Sequence, residues 1–344
     1  MRDDPWSFEA RRRRPTPDKA SPASAWREQE NVDGKLVDAG VVILRTTGCS
    51  HFHEGGCTMC GYNTESMKGI SADDLRKQLD EALRGLGDIG FLKVYTSGSF
   101  LDEREIPNEI SDEIARRCSN LGVRLLFESR PEYVSRERLE HLTGLHDQLE
   151  IALGLESSSD RVLRYSINKG FRVPDYERAA RLIRDAGIDV RTYVLLKPPF
   201  LTEAEAISDA ISTASFAASY SETISINPVN VQKGTLVERL WRQWAYRPPW
   251  LWSVHEVVRS CGGLDRKVVC DPTGGGRGRG AHNCGQCDER MLDSLRRYSL
   301  SQDPSSLLAP DCDCRDLWKA IIETEGFVMG GTCDLERFFR RHQA

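Results

Sequence analysis

From Val41 onward, short runs rich in Val, Ile, Leu and Phe alternate with longer amphipathic segments, and nothing else in the chain narrows the fold as much. The runs fall at 41–46, 91–96, 123–127, 149–155, 190–196 and 223–226, with helical spacing at 71–86, 105–121, 132–142, 174–186 and 203–218. In the first helical segment Ser71 stands at an N-cap position, and Leu75, Leu79, Ala82, Leu83 and Leu86 recur along one side. The second carries Ile106, Ile110, Ile114 and Cys118 in the same way, which predicts a core thiol for Cys118. Six strand–helix units in succession predict an α/β fold with a parallel sheet and right-handed crossovers, either curled into a partial barrel or doubly wound.

One segment stretches the alternation. Between the first and second strands lies R-T-T-G-C-S-H-F-H-E-G-G-C-T-M-C-G-Y, from Arg45 to Tyr62, with Cys49, Cys57 and Cys60 spaced C-x7-C-x2-C. It sits at the carboxyl end of a strand, where parallel barrels place their chemistry. Three thiolates can hold three irons of a [4Fe–4S] cube and leave the fourth open to a small molecule. A C-x2-C pair with His51 and His53 is also a zinc pattern, so spacing alone leaves both metals open. The turn Gly55-Gly56 lets backbone wrap a bulky group, and Tyr62 stands where a ring could face an adenine.

The loops after the other strands are polar. Gly98 lets backbone approach the methionine end of a cofactor, with Ser97 or Ser99 bonding its amine. Glu156 suits ribose hydroxyls, or equally a helix start. Glu128 and Arg130 can pair at a barrel rim. Lys197 reads as a phosphate contact or an exposed loop lysine.

After about Lys233 the composition changes. Trp241, Trp244, Trp250 and Trp252 crowd a helix–turn–helix stretch, then Cys284-x2-Cys287 and Cys312-x-Cys314 form two pairs separated by a helical segment. Four such thiolates suit tetrahedral structural zinc, with Cys270 or His282 as alternates for one ligand and a second iron–sulfur cluster as the competing reading. The loop 274–280, G-G-G-R-G-R-G, lacks the ending of a phosphate-binding P-loop. It is either a flexible loop or one whose Arg277 and Arg279 follow an RNA backbone. Arg11 to Arg14 read as a solvated tail or a phosphate-gripping arm.

The 11 Cys are odd in number and clustered, which in a reducing compartment means metal ligation rather than disulfides. No apolar run approaches a membrane span and no signal-peptide core is present, so the expected location is cytoplasmic and no membrane partner is expected. The net charge of −5 neither requires nor excludes a nucleic-acid ligand. The division expected is 1–36 an extension, partly flexible, 37–232 the barrel, and 233–344 a Cys-rich metal-binding region.

The motifs G-C-S-H-F-H-E-G-G-C-T-M-C-G-Y, Y-T-S-G-S-F-L-D, F-E-S-R-P-E-Y, L-G-L-E-S-S-S-D-R-V-L, N-P-V-N-V-Q-K-G-T and H-N-C-G-Q-C-D span roughly residues 41–318. Together they resemble the radical SAM superfamily, and within it the branch related to the catalytic subunit of elongator. The chain is similar to the archaeal radical SAM subunits of archaeosine synthases. The resemblance implies a partial (β/α)6 barrel, a [4Fe–4S] cluster on Cys49, Cys57 and Cys60, and S-adenosylmethionine as the source of a 5′-deoxyadenosyl radical. It implies cleavage of a C–N bond of a lysine-modified 7-deazaguanine in the tRNA D-loop, a lysine transferase partner subunit and an external electron donor. Two departures stand out. The first cysteine gap is seven residues where three is commonest, and Ser97-Gly98-Ser99 stands where Gly-Gly-Glu is common. The competing readings are a radical enzyme on another nucleoside or small molecule, and a non-catalytic, metal-stabilised RNA-binding protein.

Overall fold

Eight strands line up in chain order in one sheet: β1 (Ser24–Val32), β2 (Lys35–Ile43), β3 (Phe91–Tyr95), β4 (Arg124–Ser129), β5 (Leu149–Glu156), β6 (Asp189–Leu196), β7 (Thr223–Pro228) and β8 (Lys267–Val269). This is a computed structural model, and it describes residues 17–329; Arg11 to Arg14 and Cys333 lie outside them. β1 and β2 pair antiparallel through a turn at Asp33-Gly34, both with positive φ, as a two-residue hairpin requires. Every later neighbour pair is parallel. The sheet is a curled partial barrel, which decides against the doubly wound alternative. It begins earlier than the apolar runs predict: residues 24–32, expected in the extension, form β1, and the first parallel strand starts at Lys35 rather than 41. β1 reads S-A-W-R-E-Q-E-N-V, with too few apolar residues for periodicity to reveal a strand. β8, three residues long, is likewise too short for periodicity to reveal.

Helices α1 (Ala72–Leu86), α2 (Asn108–Leu121), α3 (Arg136–Thr143), α4 (Val173–Asp185) and α5 (Glu203–Ala217) follow β2 to β6 in turn. Ser71 caps α1 in a reciprocal box with Asp74, and Thr202 does the same for α5 with Glu205. Their apolar stripes, Cys118 among them, pack with the outward residues of the strands into one continuous core. Beyond the barrel come α6 (Leu236–Arg242), α7 (Leu251–Cys261), α8 (Asp288–Ser301) and α9 (Cys314–Met329). No helix among the described residues is long and apolar enough to cross a membrane.

Strand period 2 sends alternate residues inward, and at the amino ends of the strands these are charged. Glu30 on β1 accepts from Lys93 on β3, from Arg191 on β6 at 3.3 Å and from Lys267 on β8 at 3.1 Å. Arg191 also binds Glu150 at 2.7 Å, and Glu150 meets Arg124 at 3.2 Å. Lys267 donates further to the Asn31 carbonyl at 2.8 Å, so the first and last strands of the sheet meet through side chains. Burial works against the Glu30 carboxylate, but Arg191, Lys93 and Lys267 overcome it and hold its pKa well below the usual range. This buried ion lattice closes the bottom of the barrel, leaving the carboxyl ends of the strands as the mouth.

Candidate active site

The cysteine loop hangs over that mouth. Cys49 is extended, a 3₁₀ turn follows at Ser50–Glu54, and Gly55 and Gly56 take φ of 116° and 66° to reverse the chain toward Cys57. Cys60 N–H closes back on the Cys57 carbonyl at 3.2 Å. Thr58 ties the loop to the segment after β5 through the carbonyls of Ile167 (2.9 Å) and Ser166 (2.7 Å). His51 is buried, with Nε2 at 2.7 Å from the Asn168 carbonyl, so that ring nitrogen anchors the loop rather than serving a metal. Cys49, Cys57 and Cys60 are each partly exposed as residues, and burial pushes the Cys57 and Cys60 thiols up.

Gly98, just past β3, is a cradle for this loop. A Cβ built there would lie 2.6 Å from Cys49 Cα and 2.5 Å from Glu105 Oε2, closer than real Cβ contacts allow. We expect Gly98→Ala to push Cys49 off its position and to lower the iron bound after anaerobic reconstitution several-fold. Iron-to-protein ratios check this, and a fully loaded variant would refute the cradle. Ser99 is buried, its Oγ 2.9 Å from Ser129 Oγ, and its amide donates to Glu105. Ser97 donates to the Tyr62 carbonyl at 3.3 Å. Of the two serines, Ser97 is the one at the mouth. The Tyr62 ring is half-exposed.

β5 ends in a bulge between Gly154 and Glu156, and Glu156 takes a φ of +68°. Its carboxylate meets Lys169 Nζ at 2.7 Å, and a Cβ on Gly154 would come within 2.7 Å of Glu156 Oε1 and 2.9 Å of Lys169 Nζ. Lys169 arrives by a π-helical turn, Val162–Ile167, and a left-handed Asn168. Burial lowers its pKa, but Glu156 and Cys57 raise it further, so it stays charged beside the Cys57 thiol. Burial pushes Glu128, on β4, up to about 7 against a hydrogen bond from Tyr193, with the Glu156 and Glu105 charges reinforcing the shift. Glu105, buried and bonded by Thr46 Oγ1 at 2.6 Å, is also raised by burial. The mouth thus gathers three carboxyl groups and one ammonium around three thiols. The sequence reading missed Lys169 and Glu105, because only the π-turn and the loop after β3 bring them in.

Three expectations are corrected. Arg130 pairs with Glu132 rather than Glu128, and its guanidinium holds the Lys169 carbonyl at 3.2 Å. Lys197 is neither a phosphate contact nor exposed: it is buried against Glu203 at 2.5 Å. Arg279 is not free to follow a backbone, since it pairs with Glu238 at 2.6 Å and donates to the Val231 carbonyl at 3.0 Å.

The second cysteine group lies on the loop before α8 and at the start of α9. The sulfurs of Cys284, Cys287, Cys312 and Cys314 lie within 4.8 Å of one another, with Cys284–Cys312 at 3.6 Å and Cys287–Cys314 at 3.7 Å. A tetrahedron of zinc–thiolate bonds has edges of about 3.8 Å, so the group fits one metal ion. Asn283 Nδ2 and Trp252 Nε1 each donate to a sulfur at 3.2 Å, the outer support a thiolate site needs. Neither alternate joins: Cys270 is buried, with its own amide and carbonyl bonded to Ser299, and His282 Nδ1 lies 2.8 Å from the Gly280 carbonyl.

The radical SAM superfamily pattern matches residues 43–210, from the end of β2 through most of α5. The chain is also 41% identical over 318 residues to archaeosine synthase subunit beta of Methanosarcina acetivorans, covering 90% of this chain and 92% of that protein. The chain belongs to the radical SAM superfamily. Archaeosine synthase subunit beta of Thermococcus kodakarensis is 36% identical over 310 residues, covering 87% of this chain and 96% of that one. Among solved structures, the Methanocaldococcus infernus Elp3 with an N-terminal deletion matches at 16% identity and a TM-score of 0.49, over 76% of this chain and 64% of that chain. As a radical SAM enzyme, the chain is implied to carry a [4Fe–4S] cluster and S-adenosylmethionine.

Proposed function

We propose that this chain is the radical SAM subunit of an archaeosine synthase, cleaving a C–N bond of a lysine-modified 7-deazaguanine in the tRNA D-loop to leave the formamidine of archaeosine. The observation that carries the proposal is the placement of Cys49, Cys57 and Cys60 over a barrel closed below by charge, beside the buried pair Glu156–Lys169. The similarity to archaeosine synthase subunits beta supports the choice of substrate. With its cofactors bound, such a site supplies one electron to break the C5′–S bond of S-adenosylmethionine and release a 5′-deoxyadenosyl radical.

The chain's own residues do the rest. Cys49, Cys57 and Cys60 would hold three irons of the cluster and leave one open to the cofactor's methionine end. Lys169 offsets the negative charge that three thiolates bring. Ser97 would bond the cofactor's amine, Glu156 its ribose hydroxyls, and Tyr62 would face its adenine. Gly98 keeps the loop after β3 close to Cys49. The ion lattice below excludes water from that side, where a primary radical would otherwise be lost. The four-thiol group would hold structural zinc and so tie the entry to α8 to the start of α9. A subunit implies a partner, here the lysine transferase, with an external electron donor, in the cytoplasm.

The test is 5′-deoxyadenosine release by anaerobically reconstituted protein with reductant and S-adenosylmethionine. Release should rise sharply with tRNA bearing the lysine-modified base. Release indifferent to that tRNA would discard the substrate and keep the chemistry; none from cluster-loaded protein would discard both.

A further inference from the structure

Helix α6 ends on a residue that folding alone does not explain. The Trp244 amide bonds the Trp241 carbonyl at 3.1 Å, the Ala245 amide bonds the Leu240 carbonyl at 2.9 Å, and Trp244 has a φ of +59°. That pair of bonds is a Schellman cap, whose left-handed position belongs by preference to glycine. Here it carries an indole that is 97% exposed. The backbone favours another residue, and burial gains nothing because the ring stands in water. Both folding reasons for a tryptophan are missing, so the side chain is left for something that binds it.

The surroundings say what. Residues 232–247 and 272–282, which pack together, carry six Lys or Arg and one carboxylate, Glu238, in a chain whose net charge is −5. Arg239 and Arg277 are exposed and have no ion-pair partner among the described residues. The patch also borders the thiol-lined mouth. The Val237 amide opens α6 on the Thr58 carbonyl at 3.2 Å, and the Gly61 amide donates to Gln232 Oε1 at 2.6 Å. The seven residues of α6, about 10 Å of helix, separate that contact from the cap. An exposed aromatic face among unpaired cations is the arrangement that binds unstacked nucleotides, since every base has a π-face and every linkage a charge. A protein partner would call instead for a contiguous apolar patch.

We propose that Trp244 is a stacking platform for a base of the RNA substrate, with Arg239 and Arg277 holding neighbouring phosphates. The proposal rests on the reading of the chain as acting on RNA. Its test is binding of an unmodified tRNA transcript to the full chain. Trp244→Gly is expected to raise Kd about 5- to 150-fold, while the unfolding midpoint stays the same or rises, because glycine suits the cap. Trp244→Phe should restore most of the affinity. The slope of log affinity against log salt should be unchanged in the glycine variant and fall by about one in Arg277→Gln. A glycine variant that binds the transcript like the parent overturns the platform, even where tRNA-stimulated 5′-deoxyadenosine release leaves the proposed function standing. Loss of partner-subunit binding with RNA affinity intact overturns it too, and assigns Trp244 to a protein interface. A parent protein with neither tRNA affinity nor tRNA-dependent release removes both proposals together.

Discussion

Cys57→Ala is expected to abolish 5′-deoxyadenosine release and to strip most of the iron while leaving about one zinc per chain. Cys57 is the middle ligand of the proposed cluster, set between the Gly55-Gly56 reversal and the turn back from Cys60, beside Lys169. Two thiolates cannot hold the cube in the geometry that leaves one iron open. The second thiol group shares no ligand with the first, so the zinc proposed for it should survive. The mirror variant, Cys314→Ala, should lose zinc and keep iron. Metal analysis of both proteins beside the release assay makes the two sites separable. A Cys57→Ala protein with full iron and undiminished release would end the assignment of this loop.

Glu30→Ala should cost about 3–5 kcal/mol of stability, seen as a lower urea midpoint, because it strands buried cations. Glu30 is 6% exposed and faces Lys93, Arg191 and Lys267, all of them buried or partly so. Glu30→Gln keeps the shape and loses the charge, so it should recover only part of the loss. The sign with pH follows from the lowered pKa. The stabilisation is fully present above the ordinary carboxyl value of 4.5 and is lost as pH falls from there toward the folded value. The parent protein should therefore weaken below pH 4.5 more steeply than either variant. A variant with the parent's midpoint and the same acid slope would show that the lattice adds nothing.

Where apolar periodicity spoke, the sequence reading located the fold closely: the helix expected at 71–86 is Ala72–Leu86, and the strand expected at 190–196 is Asp189–Leu196. It failed where stability comes from charge. β1 has Glu28 and Glu30 on its inward side, answered by cations on β3, β6 and β8, and no local pattern announces such distant partners. The four thiols of the second group were visible as two close pairs. Excluding Cys270 and His282 needed the third dimension, since each finds backbone or Ser299 partners instead. Lys197, Arg130 and Arg279 misled for one shared reason. Long basic side chains in loops read as available, and here each is claimed by an acid or a carbonyl that the chain brings in from elsewhere.

The closing of the sheet also sets a timetable for synthesis. Glu30 leaves the ribosome early, and its cation on β8 is made 237 residues later. Until then the nascent barrel holds a carboxylate short of one of its counter-charges and an edge without its last strand. The pairing that seals the floor is therefore among the last long-range contacts the growing chain can form. It forms only after every residue of the cysteine loop and of the six strands between has already been translated.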